Sequence, residues 1–254
     1  MILETEAIVL LTRKFSDTSK IVVMFSKEFG KISILAKGAF NAKSKFGGLE
    51  PLSNVSISFY KKPYSDLHLL KSIEIVKPFN KITKNYDALV AGLVAAEMVN
   101  ATQKETFENT ELFTYFVDFL QMLNENVEFG FSLCVNFLFC IAGNLGFLLD
   151  FSFIKEHSQN TNDIKISLSD ATSIHSVNYA EKNYGDKNIS NYYQKYFSFR
   201  LATISKIADF DCVKIDKQIA LTNNEFSEIV NFFATFFEFH LDKKIQIRTL
   251  GLLC

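Results

Sequence analysis

Tryptophan is absent from this chain of 254 residues, and proline, arginine and cysteine are scarce, with three, three and four residues. The four cysteines never approach a C-x-x-C spacing, which predicts a reduced protein without a disulfide framework. With few prolines, 48% hydrophobic and 22% charged residues, the composition excludes disorder as the main state. Folding a chain of this length buries roughly 70 to 75% of the unfolded surface, so no disulfide or metal is needed for stability.

Two further absences bear on where the protein functions. The N-terminal residues M-I-L-E-T-E lack the basic and apolar regions of a signal peptide. The longest uncharged segment, 129–149, is long enough to cross a bilayer, but Ser132, Asn136 and Gly143 interrupt it and no nearby Lys or Arg flanks it. This pattern predicts a central helix buried by other helices. We therefore expect a cytoplasmic protein without a membrane segment.

The common catalytic motifs are also missing. The sequence contains no G-x-x-x-x-G-K-[ST], G-x-G-x-x-G, H-E-x-x-H or G-x-S-x-G. His157 and His175 could share a metal with Asp150 or Glu156, although their spacing matches no established zinc pattern. The sequence does not exclude a catalytic pair of carboxylates, because the members of such a pair meet in space and not along the chain. The sequence predicts a protein that is not an enzyme and that needs no metal or other cofactor.

Charge is balanced overall, at a formal net charge of -1, but not along the chain. Residues 1–80 hold twelve Lys or Arg against seven Asp or Glu, whereas 81–254 hold fifteen against twenty-one. Positions 11–45 alone carry eight basic and two acidic residues. Such a local excess attracts anionic ligands even when the whole molecule is nearly neutral. A solvated lysine-rich face that serves solubility is the alternative interpretation.

The first eighty residues have the alternating pattern of β-strands. Five runs bounded by turn-forming residues fit this pattern, at 2–11, 20–25, 31–35, 54–60 and 67–76. Five short strands in this length predict a small barrel, which leaves no exposed edge. The five-stranded OB-fold is the commonest such barrel that binds single-stranded nucleic acid.

The segment between the third and fourth runs, 36–51, is long for a hairpin loop and rich in cations and glycine. Its three glycines allow the backbone to approach a ligand closely. Phe40 and Phe46 are large apolar groups with little core around them, so each ring either caps the barrel end or faces a ligand. We expect nucleic-acid contacts from this loop and the neighbouring strands, by Arg13, Lys14, Lys20, Lys31, Lys37, Gly38, Phe40, Lys43 and Lys45.

After Pro78 the apolar period changes from 2 to 3.6 residues. It predicts helices at about 78–103, 111–124, 127–147, 190–207 and 222–240, the last one opened by a capping box of Thr222 and Glu225. The polar segment 150–186 predicts an irregular excursion with one strand-like run at 163–168. The predicted fold class is α+β, with an OB-fold nucleic-acid-binding domain at 1–78 and an all-α helical domain at 79–254 that contains this excursion.

A set of short motifs stands out in the basic half. They are E-A-I-V-L at 6–10, D-T-S-K-I at 17–21, F-G-K-I at 29–32, A-K-G-A at 36–39, K-S-K at 43–45 and L-E-P at 49–51. Together they resemble the N-terminal domain of the bacterial recombination mediator family RecO. More sparsely, N-L-G-F at 144–147, F-H-L at 239–241 and R-T-L at 248–250 resemble the end of that family's central helix and its C-terminal helix and tail.

The resemblance implies an OB-fold followed by an α-helical domain. It implies binding of single- and double-stranded DNA, annealing of complementary strands, and help for RecA in replacing single-strand binding protein during gap repair. The implied partners are RecR and the acidic C-terminal tail of single-strand binding protein, with RecA engaged indirectly. Two alternatives stay open: an interaction scaffold whose helical domain docks repair partners with little direct DNA binding, and a hydrolase with an unrecognised spatial site.

Two departures from the family pattern matter. Many members carry C-x-x-C pairs for zinc soon after the L-G-[YF] motif, whereas here no cysteine follows that motif until Cys212. Zinc is therefore not carried over. The family often has a basic pair directly after A-K-G-A, whereas this chain has Phe40 and Asn41, which removes charge and supplies a ring on which a base can stack.

Overall fold

The computed structural model of the protein describes residues 1–41, 44, 46–149, 151, 163–169, 174–175, 196–207 and 219–253. Its N-terminal part is a closed five-stranded barrel. The strands are β1 (Ile2–Lys14), β2 (Lys20–Ser26), β3 (Gly30–Ala36), β4 (Asn54–Tyr60) and β5 (Leu67–Lys77). Around the barrel they follow the order β1-β2-β3-β5-β4, with β4 pairing back onto β1 and β5 parallel to β3. The predicted OB-fold barrel is confirmed.

Alternation along the strands divides the barrel residues between two apolar cores. Val9, Met24 and Ile34 belong to the core inside the barrel and are fully buried. Their neighbours Ile8 and Phe25 are equally buried but belong to the core of the helical part. Successive side chains of a strand point to opposite faces, so Ile8 and Phe25 point out of the barrel. The helices therefore cover this part of the barrel's outer surface.

Three helices follow the barrel, α1 (Tyr86–Thr102), α2 (Thr110–Glu125) and α3 (Gly130–Asn144). The first two begin at asparagine caps, where the side chains of Asn85 and Asn109 accept hydrogen bonds from backbone amides three residues on. By length and composition, Val127–Asn144 could cross a membrane, but 67% of it is buried inside the protein, as the core helix of a folded protein would be.

A small three-stranded sheet lies beyond α3. It consists of β6 (Asp163–Ser167), β7 (Ile174–His175) and β8 (Tyr196–Arg200), in the order β7-β6-β8. The strand predicted near 163–168 is confirmed. The helix predicted over 190–207 is partly wrong, because helix α4 covers only Leu201–Ile207 and the residues before it form β8, whose Phe197 and Phe199 pack on Phe232. The rest of the predicted excursion lies mostly outside the described residues, as do 190–195.

The last long helix, α5 (Asn223–Leu241), begins at the predicted capping box. The amide of Glu225 donates to Thr222 Oγ1 at 3.3 Å, and the amide of Thr222 donates to Glu225 Oε2 at 2.8 Å. The phenylalanine stripe of α5 is buried against α3, where Phe226 stacks on Phe131 with ring centroids 4.2 Å apart. The predicted α+β class is confirmed, with the small sheet as an addition to the helical part.

The barrel and the helices meet at the start of β3. Gly30 has a φ of 61°, and a Cβ at this position would lie 2.0 Å from the carbonyl oxygen of Phe107. The neighbouring Lys31 donates from Nζ to the carbonyl of Asn100, at the end of α1, at 2.9 Å. Only glycine fits a left-handed backbone position against which another chain segment packs this closely. This junction fixes the barrel against α1 and α2.

Candidate nucleic-acid interface

One end of the barrel, called here the upper end, brings together the β1–β2 turn (15–19) and the β3–β4 loop (37–53). The amide of Phe40 donates to the carbonyl of Thr18 at 3.2 Å, which ties the loop to the turn. Within the turn, the amide of Phe15 donates to the carbonyl of Ser19 at 2.9 Å. Gly38 has a φ of 77°, a conformation that a side chain would strain, and it directs the loop back across the turn.

Four of the predicted cations lie at this end. Arg13, Lys14 and Lys37 are exposed, and Lys20 is half-buried at the start of β2. The same end carries two exposed rings, and we call this set the upper-end cluster: Arg13, Lys14, Lys20, Lys37, Phe15 and Phe40. Lys14 pairs with Asp17 and Lys20 with Glu50, each at 3.1 Å. Pairs whose carboxylates are this exposed contribute little to stability, so a phosphate can replace either carboxylate.

The two loop phenylalanines differ in their surroundings. Phe46 is half-buried and packs against the core inside the barrel. Phe40 is 47% exposed, and the ammonium of Lys20 lies 5.0 Å from its ring centroid. Of the two interpretations left open by the sequence, barrel capping therefore describes Phe46, whereas Phe40 keeps an accessible ring. Phe15 is 58% exposed. It was not among the contacts predicted from the sequence, although a large apolar residue in a turn of otherwise polar residues could have indicated it.

The matches to known proteins agree with this barrel. Residues 1–79 match the family described as "Recombination protein O N terminal". Over these residues the chain is similar to the N-terminal domain of the RecO family. The resemblance drawn from the short motifs at 6–51 is thereby confirmed.

Relatives with the name "DNA repair protein RecO" match beyond this domain. The one from Salinibacter ruber is 34% identical over 124 residues, which are 48% of each chain. The one from Chloroherpeton thalassium is 30% identical over 152 residues, 59% of each chain. The one from Rhodopirellula baltica is 36% identical over 119 residues, 46% of this chain and 44% of the relative. The chain spans about half the length of the curated relatives it matches.

Lys31 does not join the upper-end cluster. It begins β3, whereas the cluster lies where β3 ends, about 16 Å further along the strand. Only 8% of its surface is exposed, and its ammonium is bonded to the carbonyl of Asn100. Burial, together with the nearby charge of Lys243, lowers the pKa of Lys31. The structure therefore does not bring Lys31 together with the other predicted DNA contacts, because its ammonium is buried at the junction with α1.

The remaining predicted contacts divide between loop positions that the structure shows and positions that it does not. Gly38 lies within the loop beside Phe40. Lys43 and Lys45 lie outside the described residues, so their part in the interface stays a prediction. The same holds for the metal site considered at His157 and Glu156. Within the described ranges, no three His, Cys, Asp or Glu side chains come together as metal ligands.

The opposite, lower mouth of the barrel holds a buried histidine. His68 is 6% exposed and stacks on Phe59, with ring centroids 5.4 Å apart. Its Nδ1 is buried and has no hydrogen-bond partner among the described residues. Burial lowers the pKa of His68 below its ordinary value of 6.5, and the positive charge of Lys61 lowers it further. The folded barrel therefore favours the neutral form of this imidazole.

We expect this histidine to make the protein less stable in acid. As the pH falls below about 6.5, the unfolded chain binds a proton at His68 that the folded barrel resists, so stability present above that pH is lost. The melting temperature should fall between pH 7.5 and pH 5.5, and by less in His68→Phe, which keeps a ring on Phe59. An equal fall in both proteins would contradict this role.

Proposed function

We propose that the protein acts in DNA repair and recombination as a mediator that binds single- and double-stranded DNA. The observation that carries the proposal is the upper-end cluster, where four cations and two exposed rings lie at one end of a barrel similar to the RecO N-terminal domain. The name shared by its relatives supports the repair role. We further propose that residues 1–78 serve as the DNA-binding domain, that 79–254 form a helical domain, and that the protein acts in the cytoplasm.

The mechanism follows from the residue types at the upper end. Lys and Arg neutralise phosphates and release counterions without reading sequence. A ring adds about 1 to 3 kcal/mol for each base that stacks on it, and every base has a face that can stack. Two complementary strands whose phosphates are neutralised repel each other less. Strand annealing then needs no nucleotide energy and no catalytic group, so the proposed activity is not enzymatic.

We also propose the partners that this role requires. They are RecR, the acidic C-terminal tail of single-strand binding protein, and RecA, whose loading onto coated strands the protein assists. The similarity to RecO proteins supports these partners as a set. The interaction scaffold remains the second candidate function.

Salt dependence tests the electrostatic surface. If four to six of the cations at Arg13, Lys14, Lys20, Lys37, Lys43 and Lys45 meet phosphates, log K for a single-stranded oligonucleotide should fall with log salt at a slope of about -3 to -4. Lys37→Ala should reduce the slope by about 0.7. The matched control is Lys104→Ala, at an exposed lysine between α1 and α2, which should leave the slope unchanged.

If log K of the wild-type protein does not change with salt concentration, the upper-end cluster is not an electrostatic DNA-binding surface. Weak binding that Lys37→Ala leaves unchanged would favour the scaffold. The remaining alternative is a hydrolase, which a strand-annealing assay with and without divalent metal distinguishes from a mediator. A hydrolase would degrade its nucleic-acid substrate, whereas a mediator would leave it intact and annealed.

A further inference from the structure

A cavity of about 190 Å³ lies at the lower mouth of the barrel, beside the segment between α1 and α2, and we call it the lower-mouth cavity. Its lining includes Leu3, Glu28, Phe29, Phe59, His68 and Glu108. A cavity of about 150 Å³ holds a benzene ring, so this one has room for a group of about seven non-hydrogen atoms. It is therefore large enough for a small ligand or for one side chain of a partner.

The lower-mouth cavity is formed by the barrel and the helical part together. Phe59 and His68 belong to the barrel, whereas Thr106 and Glu108 come from the segment between α1 and α2. The amide of Thr106 donates to the carbonyl of Lys31 at 3.0 Å, which holds that segment against β3. Thr106 has a φ of 57°, a left-handed conformation that a β-branched residue rarely adopts. Backbone strain of this kind is concentrated at binding sites.

The imidazole of His68 is the observation that points to a ligand. It lines the cavity, is 6% exposed, and has a buried Nδ1 without a hydrogen-bond partner among the described residues. A buried polar atom without a partner costs stability, so an apolar residue would serve the fold better at this position. Because burial lowers the pKa of His68, the ring favours its neutral form and does not repel a cation.

Two carboxylates in the lining have no cationic partner. Glu28 and Glu108 are exposed, and within the described ranges no Lys or Arg forms an ion pair with either of them. Each carboxylate instead accepts from a hydroxyl, Glu28 from Thr5 and Glu108 from Thr110. Lys61 is the one cation in the lining, so negative charge is in excess. A concave site with this excess attracts a cation.

The walls fit the head and the stem of an alkylguanidinium. The ring of Phe29 is half-buried and lies edge-on to Phe59, with ring centroids 5.8 Å apart. A guanidinium stacks on such a ring and donates to carboxylates through a planar fork, which an ammonium does not. A short alkyl stem gains contact with Leu3 and Phe29. Among the described residues no three metal-ligating side chains come together, so an organic cation suits this site better than a bare metal ion.

We propose that the lower-mouth cavity binds an alkylguanidinium cation. Glu28 and Glu108 balance its charge, the imidazole of His68 forms a hydrogen bond with it, and its stem packs on Phe29. A free small guanidine and the arginine side chain of a partner protein both supply this chemistry. The inference goes beyond the proposed function and does not depend on DNA binding, because the upper-end cluster lies at the other end of the barrel.

The test follows the imidazole NMR signals of the isotope-labelled full chain during titration with N-propylguanidinium at constant ionic strength. The chain has four histidines, and the signals that are lost in His68→Phe are those of His68. They should shift saturably, with a dissociation constant of about 10 mM or below, as expected of a ligand of this size. N-propylurea has the same shape without the charge and should leave them unchanged.

Variants of the two carboxylates test the charge. Glu28→Gln and Glu108→Gln keep the shape of the lining and should each weaken binding about threefold. Glu74→Gln, at an exposed carboxylate of β5 outside the cavity, is the matched control and should bind like the wild type. Melting curves show whether each variant is folded, and the amide signal of Thr106 gives a second readout of binding.

A blocked peptide, acetyl-Gly-Arg-Gly-amide, distinguishes the two sources of the cation. If the peptide binds at least as tightly as N-propylguanidinium, the ligand is the arginine of a partner, whereas binding of the free cation alone identifies a small guanidine. Shifts that grow without saturation, or equal shifts with N-propylurea, would overturn the proposal. Unchanged affinity in both glutamine variants would overturn it as well.

Discussion

Phe40→Ala is expected to weaken binding of a single-stranded oligonucleotide by about 1 to 3 kcal/mol. The Phe40 ring is 47% exposed and is not packed against either apolar core, so a base can stack on the face that the Lys20 ammonium leaves free. No charge is removed, so the slope of log K against log salt should stay nearly constant. Titrations at several salt concentrations measure both quantities.

Phe46→Ala is the matched control for this prediction, because it removes the same ring from the same loop. Phe46 packs against the core inside the barrel, so its loss should lower the melting temperature. Phe40→Ala should leave the melting temperature nearly unchanged. The reverse pattern, a less stable Phe40→Ala protein with unaltered affinity per folded molecule, would assign the capping role to Phe40 and remove it from the interface.

Gly30→Ala is expected to lower the free energy of unfolding by more than about 2 kcal/mol. The left-handed backbone conformation alone costs an alanine roughly 1 to 2 kcal/mol. The new Cβ would also lie 2.0 Å from the carbonyl oxygen of Phe107, so the barrel and the segment before α2 must move apart. For a chain of this size the melting temperature should fall by about 4 °C or more.

Gly47→Ala provides the comparison within the same domain. A Cβ at Gly47 meets no atom within 4 Å, and its φ is not in the left-handed region. Gly47→Ala should change the free energy of unfolding by no more than about 0.5 kcal/mol. Similar unfolding curves for the two variants would show that the close approach at Gly30 does not hold the barrel against the helices.

Local patterns in the sequence were enough to predict most elements. Alternation located all five barrel strands, and Thr222 with Glu225 located the start of α5. The structure departs from these patterns where distant parts of the chain meet. Lys31 looks like any other cation of the basic half, and only the end of α1 at Asn100 takes its charge out of solvent. Likewise, the sequence around Phe197 and Phe199 predicts a helix, but these residues pair with Ile166 and Ile164 of β6 and form a strand.

The shared core between barrel and helices limits what a truncated protein can report. A fragment cut after residue 79 would turn Ile8, Leu10 and Phe25 outward into water, where the intact chain covers them. Newly bared apolar side chains of this size attract each other and other apolar surfaces. The isolated barrel would then self-associate and adsorb through a face that the full chain never presents. Affinities measured on such a fragment would describe the cut surface as well as the loops that we propose to bind DNA.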